Sequence, residues 1–192
     1  MQGRNHVALA LAVPLAGAIV GGPLPGSAAA WGGLIVGSLA PDIDGGGSVA
    51  YWGNWLPRPI TPGPVRALLN GVGKTTSDVI RSAFGHRQAF HWPTWGVIII
   101  ALGLVLGLDW LLWFGAGYIL HILGDSLTKS GVPLFGPLIT KDISFSPMRT
   151  GGVTETLFGA GLWLFVGWQV WERLPSAGWL VQLLYRFGGQ FL

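Results

Sequence analysis

The sequence predicts an all-α fold: one multi-pass membrane bundle of about five transmembrane helices with added interfacial helices, a single domain over residues 1–192. Three observations predict it. Apolar residues make up 51% of the chain and charged ones 10%, against about 25% charged in an ordinary soluble domain. Residues 7–20, 28–40, 97–108, 110–122 and 157–171 contain no Lys, Arg, Asp or Glu. Trp31, Trp92, Trp95, Trp110, Trp171 and Trp179 fall near the ends of these runs, where an amphipathic indole suits the headgroup layer. Some runs are shorter than the ~20 residues a helix needs to cross hydrocarbon. Flanking Gly, Ser, Thr and His residues must complete those, or they span only part of the bilayer.

The breaks define the elements in order. The first helix, residues 5–21, ends in the turn Gly22-Pro23-Leu24-Pro25-Gly26, and the second runs over 27–39 before Pro41, so the pair forms a tight hairpin. Arg4 ahead of the first run and Ser27-Ala28-Ala29-Ala30 after it resemble a secretory signal. Intervening Pro and Gly residues, and the four hydrophobic runs that follow, argue that the segment is retained. Residues 42–92 form a polar loop, helical over 64–84 with Leu68, Leu69, Val72, Val79 and Ile80 on one side, as expected of a helix lying on the membrane surface. Pro93 opens the third membrane helix at a first helical position, Gly107-Leu108-Asp109 turns the chain, and the fourth covers 110–127. A second polar loop, 128–152, precedes the fifth helix. The tail, 177–192, has Arg186 among large apolar residues and reads as interfacial or as a sixth packing segment.

Basic residues set the expected orientation. Arg4, then Arg58, Arg66, Lys74, Arg81 and Arg87, then Lys129, Lys141 and Arg149 all fall on one side, and the short turns opposite have no Lys or Arg. By the positive-inside rule that side faces the cytoplasm. Membrane lipids are the expected solvent, and no nucleic-acid partner is expected. The absence of cysteine excludes disulfides and thiolate ligands, so any metal is held by nitrogen and oxygen.

The histidines and aspartates fall in a restrictive pattern. His6 opens the first helix, His86 and His91 precede the third, His121 lies late in the fourth, Asp42 and Asp44 follow the second, and Asp125 is one turn beyond His121. In an up-and-down bundle, the starts of odd helices and the ends of even ones meet at one surface, so all seven groups reach one layer. A single interfacial histidine is commonly just a polar residue among headgroups, and Pro41-Asp42-Ile43-Asp44 is an ordinary turn sequence. Together they argue differently. Asp42 and Asp125 are expected at helix C-termini, where the dipole disfavours a carboxylate, and a bound cation reverses that penalty. Seven candidates exceed the four ligands of one zinc. They suit two or three divalent ions bridged by Asp42 or Asp44, most naturally Zn²⁺ with Mn²⁺ as the alternative, and such clusters suit phosphoester hydrolysis.

The same residues carry a resemblance: Asn5-His6, Gly37-Ser38-Leu39-Ala40-Pro41-Asp42-Ile43-Asp44, Gly85-His86-Arg87 with His91, Gly117-Tyr118-Ile119-Leu120-His121, Asp125-Ser126-Leu127-Thr128 and Gly131-Val132-Pro133-Leu134. Over residues 3–137 the chain resembles the YdjM-like family of LexA-controlled, DNA-damage-inducible inner-membrane proteins regarded as metal-dependent hydrolases. The resemblance implies metal-ligand roles for His6, Asp42, Asp44, His86, His91, His121 and Asp125. It also implies a distant likeness to zinc phospholipase C and P1-nuclease-type enzymes, and with it a phospholipase-like activity. Where the family reads His-Arg-Gly-Phe-Thr-His-Ser, this chain reads His86-Arg87-Gln88-Ala89-Phe90-His91-Trp92, which keeps both histidines and loses the Thr and Ser.

Two other motifs lead nowhere. Gly71-Val72-Gly73-Lys74-Thr75-Thr76 ends like a phosphate-binding loop, but the required first glycine is Leu68 and no strand precedes it. Ser126 shares one segment with His121 and Asp125, which does not make a relay triad. The expected function is therefore hydrolysis of a phosphoester in a lipid or other amphiphile. Asp42, Asp44 and Arg87 are the expected catalytic residues, with Arg87 neutralising phosphate oxygens. Lys129, Lys141 and Arg149 are weaker headgroup contacts. The alternatives are a metal or small-solute transporter, suggested by intramembrane His and Asp, and a metal-stabilised scaffold without turnover.

Overall fold

The computed structural model describes residues 1–44, 51, 54, 59, 61–84 and 89–173. Among them it is all-helical: α1 (Gly3–Ile19), α2 (Ala28–Gly37), α3 (Gly63–Phe84), α4 (Pro93–Leu106), α5 (Asp109–Ser126) and α6 (Val153–Arg173), with short 3-10 turns at Ala40–Asp44 and Ala89–His91. Isolated bridges pair Val132 with Ile143 and Phe135 with Ile139 in the loop after α5.

Local chemistry sets the helix ends. Ser27 caps α2, its hydroxyl accepting from Ala30 N at 3.1 Å. Pro93 begins α4, and Gly107 ends it in the left-handed region at φ 65°, a conformation that side chains resist. Asp109 lies in the first turn of α5, where the positive end of the helix dipole favours a carboxylate. The phosphate-loop look-alike is an interior stretch of α3. Lys74 there donates to Asp78 Oδ2 at 2.6 Å, one turn on, and that hydrogen bond and charge hold its pKa above the ordinary lysine value.

Helix α5 is the hub. Helices α1, α2 and α4 all pack on it, and α6 packs on α1. The α2 crossing is close because Gly33 and Gly37 face α5: a methyl on Gly33 would strike the Trp110 carbonyl oxygen, and one on Gly37 that of Phe114. Gly117 answers from α5, lying against the Leu34 carbonyl. Small residues four apart let two helix backbones touch.

Polar groups share the described interior with apolar packing, while many large apolar side chains lie outside. His6, Asp44, His91, His121 and Asp125 are fully buried, while Val97, Leu104, Val105, Leu157, Leu164 and Trp171 are exposed. No described helix is long and apolar enough to cross a membrane. Helices α2 and α4 have 10 and 14 residues, and α6, at 21, contains Glu155 near its start and Glu172 and Arg173 at its end. The expected tail at 177–192 lies outside the described residues.

One local expectation needs correcting. Asp42 is not at a helix C-terminus: α2 ends at Gly37, and Asp42 lies in the first turn of the separate 3-10 segment. Pro41 and the close crossing at Gly37 end the α-helix early. The dipole penalty therefore applies to Asp125, the penultimate residue of α5.

Candidate metal centre

The α2–α5 crossing leads straight to the site. It brings the end of α2 against α5 one turn before His121, and His121 Nδ1 lies 2.8 Å from the Ser38 carbonyl oxygen. A carbonyl only accepts, so Nδ1 carries the proton and donates. In the neutral ring Nε2 then presents its lone pair, and this buried atom has no hydrogen-bond partner among the described residues.

What Nε2 faces is a carboxylate-rich cage. It stands 3.6 Å from Asp42 Oδ1 and 3.8 Å from Asp125 Oδ2, while His91 Nε2 lies 3.8 Å and 3.7 Å from the same two oxygens. Such separations exceed a hydrogen bond. Ligand atoms about 2.0–2.2 Å from a tetrahedral zinc stand about 3.3–3.6 Å from one another, close to the observed spacing. One donor atom from each of Asp42, His91, His121 and Asp125 falls within 4.8 Å of the others. The donor set thus fits a divalent cation, and its nitrogen-and-carboxylate chemistry suits a borderline ion.

Around these four lie the remaining described candidates. His91 Nδ1, on the other edge of the ring, is 3.7 Å from Asp44 Oδ2, an ion-pair separation longer than a hydrogen bond that puts a carboxylate behind the ring, where its charge favours the orientation of a ligating histidine. His6 stacks on His121 with ring centroids 3.7 Å apart and planes 12° from parallel, and its Nε2 is 3.2 Å from Asp125 Oδ1. That oxygen also receives the buried α-ammonium of Met1, which offsets the helix-end penalty on Asp125. Only Asp42, at 20% side-chain exposure, is open to the outside. His6, Asp42, Asp44, His91, His121 and Asp125 are therefore brought together; His86 and Arg87 lie outside the described residues.

Several supporting residues escaped the sequence reading. Tyr118 donates its hydroxyl to the Phe90 carbonyl, and Trp95 Nε1 donates to the Ala89 carbonyl at 2.9 Å, so two helices hold the turn that presents His91. Glu155 is buried at the start of α6. It accepts from Asn5 Nδ2 at 2.9 Å and from the backbone N–H groups of Gln2 and Gly151, each at 2.5 Å. This clamp fixes the residue next to His6. The available signal was a carboxylate in the first turn of a largely apolar helix, a position that the helix dipole favours by itself. Ser126 Oγ donates to Leu123 O at 2.6 Å, away from any relay with His121. Lys129, Lys141 and Arg149 are exposed in the loop after α5.

No curated protein and no solved structure shows significant similarity to the chain. The profile of a family described as YdjM inner membrane protein matches residues 1–191, extending the resemblance seen in the motifs through nearly the whole sequence. The chain belongs to the YdjM inner membrane protein family.

Proposed function

We propose that the chain is a membrane-embedded, metal-dependent hydrolase that cleaves a phosphoester in a phospholipid or another amphiphile. The observation supporting this reading is the buried cage in which His91 and His121 present ring nitrogens to Asp42 and Asp125 at 3.6–3.8 Å. A multi-pass embedding, with polar helix ends and flanking residues completing the short apolar stretches, is supported by the large apolar side chains on the exterior and by the inner-membrane family. The basic loops support a cytoplasmic side for the site in this reading.

Asp42, His91, His121 and Asp125 would hold one ion, with zinc preferred and manganese the alternative. A second ion would draw on His6, whose Nε2 lies 3.2 Å from Asp125 Oδ1. A divalent ion there supplies a nucleophile from water near neutral pH and neutralises phosphoryl charge. The chain does the rest. Asp44 orients His91, Ser38 orients His121, and Asp42, the partly exposed donor, is placed to take a proton from an incoming water. Arg87 is assigned the phosphate oxygens.

Metal content and lipid turnover test this directly. Plasma mass spectrometry of the detergent-solubilised protein should find bound zinc or manganese, lost in an Asp42→Ala, His121→Ala double variant together with phosphoester cleavage. Turnover that survives the double substitution in a metal-loaded preparation would sink the mechanism. One observation favours a second reading, a structural metal without turnover: four protein donors and nearly complete burial are what a closed site has. That reading expects metal removal to unfold the bundle and no phosphoester to be consumed.

A further inference from the structure

Beside the donor cage lies an apolar cavity of about 460 Å³, within the range of about 300–1,000 Å³ typical of small-molecule sites. Its walls are the sequence neighbours of the donors. Ala40 and Ile43 bracket Asp42, Phe90 precedes His91, and Tyr118 lies one turn before His121, with Ile99 of α4 closing the far side. The one hydroxyl among the described wall residues is engaged, since Tyr118 donates to Phe90 O. Trp95, which also lines the cavity, is 46% exposed, and Ile98 and Leu102 beyond it are exposed as well. An apolar ligand would therefore leave the cavity along an apolar helix face.

We propose that this cavity receives one hydrocarbon chain of a phosphate-bearing lipid while its phosphate faces the cage of Asp42, His91, His121 and Asp125. The head-group end rests on the hydrolase reading; the chain end rests on the cavity alone. Among the described residues the lining offers no free polar group to a sugar, a nucleotide or water, whereas a hydrocarbon chain gains close dispersion contacts along it. The shared wall couples the two ends: a chain seated against Phe90 and Tyr118 has its head beside His91 and His121. This arrangement selects amphiphiles over soluble phosphoesters.

Photoaffinity labelling of the full chain in maltoside detergent tests the proposal, with dodecyl phosphate bearing a diazirine at the chain terminus as the probe. The label should fall on peptides containing Phe90, Ile99 or Tyr118. At equal mole fraction in the micelle, where both chains have already left water, dodecyl phosphate should compete on the order of tenfold better than hexyl phosphate through its added cavity contacts, with no competition from inorganic phosphate. Ala89→Trp and Ile99→Trp, which fill the cavity from two different elements, should each cut labelling on the order of tenfold at unchanged helix content. The chain-length comparison on the wild type needs no variant to fold. Label spread over outward residues such as Val105 and Leu164, indifferent to chain length and to both substitutions, means annular lipid contact only and overturns the proposal. Cavity labelling in a protein that binds no metal and cleaves nothing keeps the chain site and removes the hydrolase reading. Metal-dependent cleavage with diffuse labelling does the reverse.

Discussion

The Ser38 carbonyl oxygen lies 2.8 Å from His121 Nδ1, so the end of α2 determines which nitrogen of a buried histidine on α5 faces the carboxylates. The contact depends on the two backbones meeting at Gly33, Gly37 and Gly117.

Gly37→Leu should therefore harm both fold and site. The side chain meets the Phe114 backbone, which cannot swing aside as a flexible side chain would. Overpacking of this kind costs about 1–3 kcal/mol. Thermal unfolding followed by circular dichroism should show the loss, and metal content should fall with it as Ser38 is pushed from His121.

Asp44→Asn and His121→Ala should separate orienting from ligating. Loss of a carboxylate that orients a ligand typically weakens metal affinity about 10–100-fold. Asp44→Asn should then bind metal in that weaker range at unchanged stoichiometry, whereas His121→Ala should lower the stoichiometry itself. Competitive titration against a zinc chelator distinguishes the two.

Glu155→Gln keeps the shape of the clamp on Asn5, Gln2 and Gly151 but removes the charge and one acceptor oxygen. A buried donor left without a partner costs about 1–3 kcal/mol, and the unfolding midpoint should fall accordingly. Metal affinity should drop less than in Asp44→Asn, because Glu155 reaches the site only through the residue beside His6.

Adding metal should stabilise the bundle. An ion that binds only the folded chain contributes about 2.7 kcal/mol at a free concentration 100 times its dissociation constant. Chelator treatment should lower the melting temperature of the wild type and leave that of the double Asp42→Ala, His121→Ala variant unmoved. Equal shifts in both would place the metal elsewhere.

Periodicity and punctuation made most of the fold legible. Pro93 and Gly107 delimit α4, Ser27 caps α2, and the alternation of apolar faces over α3 appears where expected. Asp42 was misplaced because α2 ends early at a crossing, and helix ends set by tertiary contact leave little local trace. The i, i+4 spacing of His121 and Asp125 could be read from the chain, as could the gathering of helix ends at one surface.

By itself, then, the sequence determined the helical class, the order of the segments and the residue types available as ligands, because these follow from hydropathy, Gly and Pro placement and donor chemistry along the chain. Only the tertiary structure decided which donors face one another. It assigned Nε2 of His121 to the cage, put Asp44 behind His91 instead of beside it, and brought Glu155 to Asn5 across 150 residues of sequence. Those relationships depend on where α1, α2 and α4 cross α5, and crossing geometry is set by glycine contacts between helices distant in sequence, which no local pattern encodes.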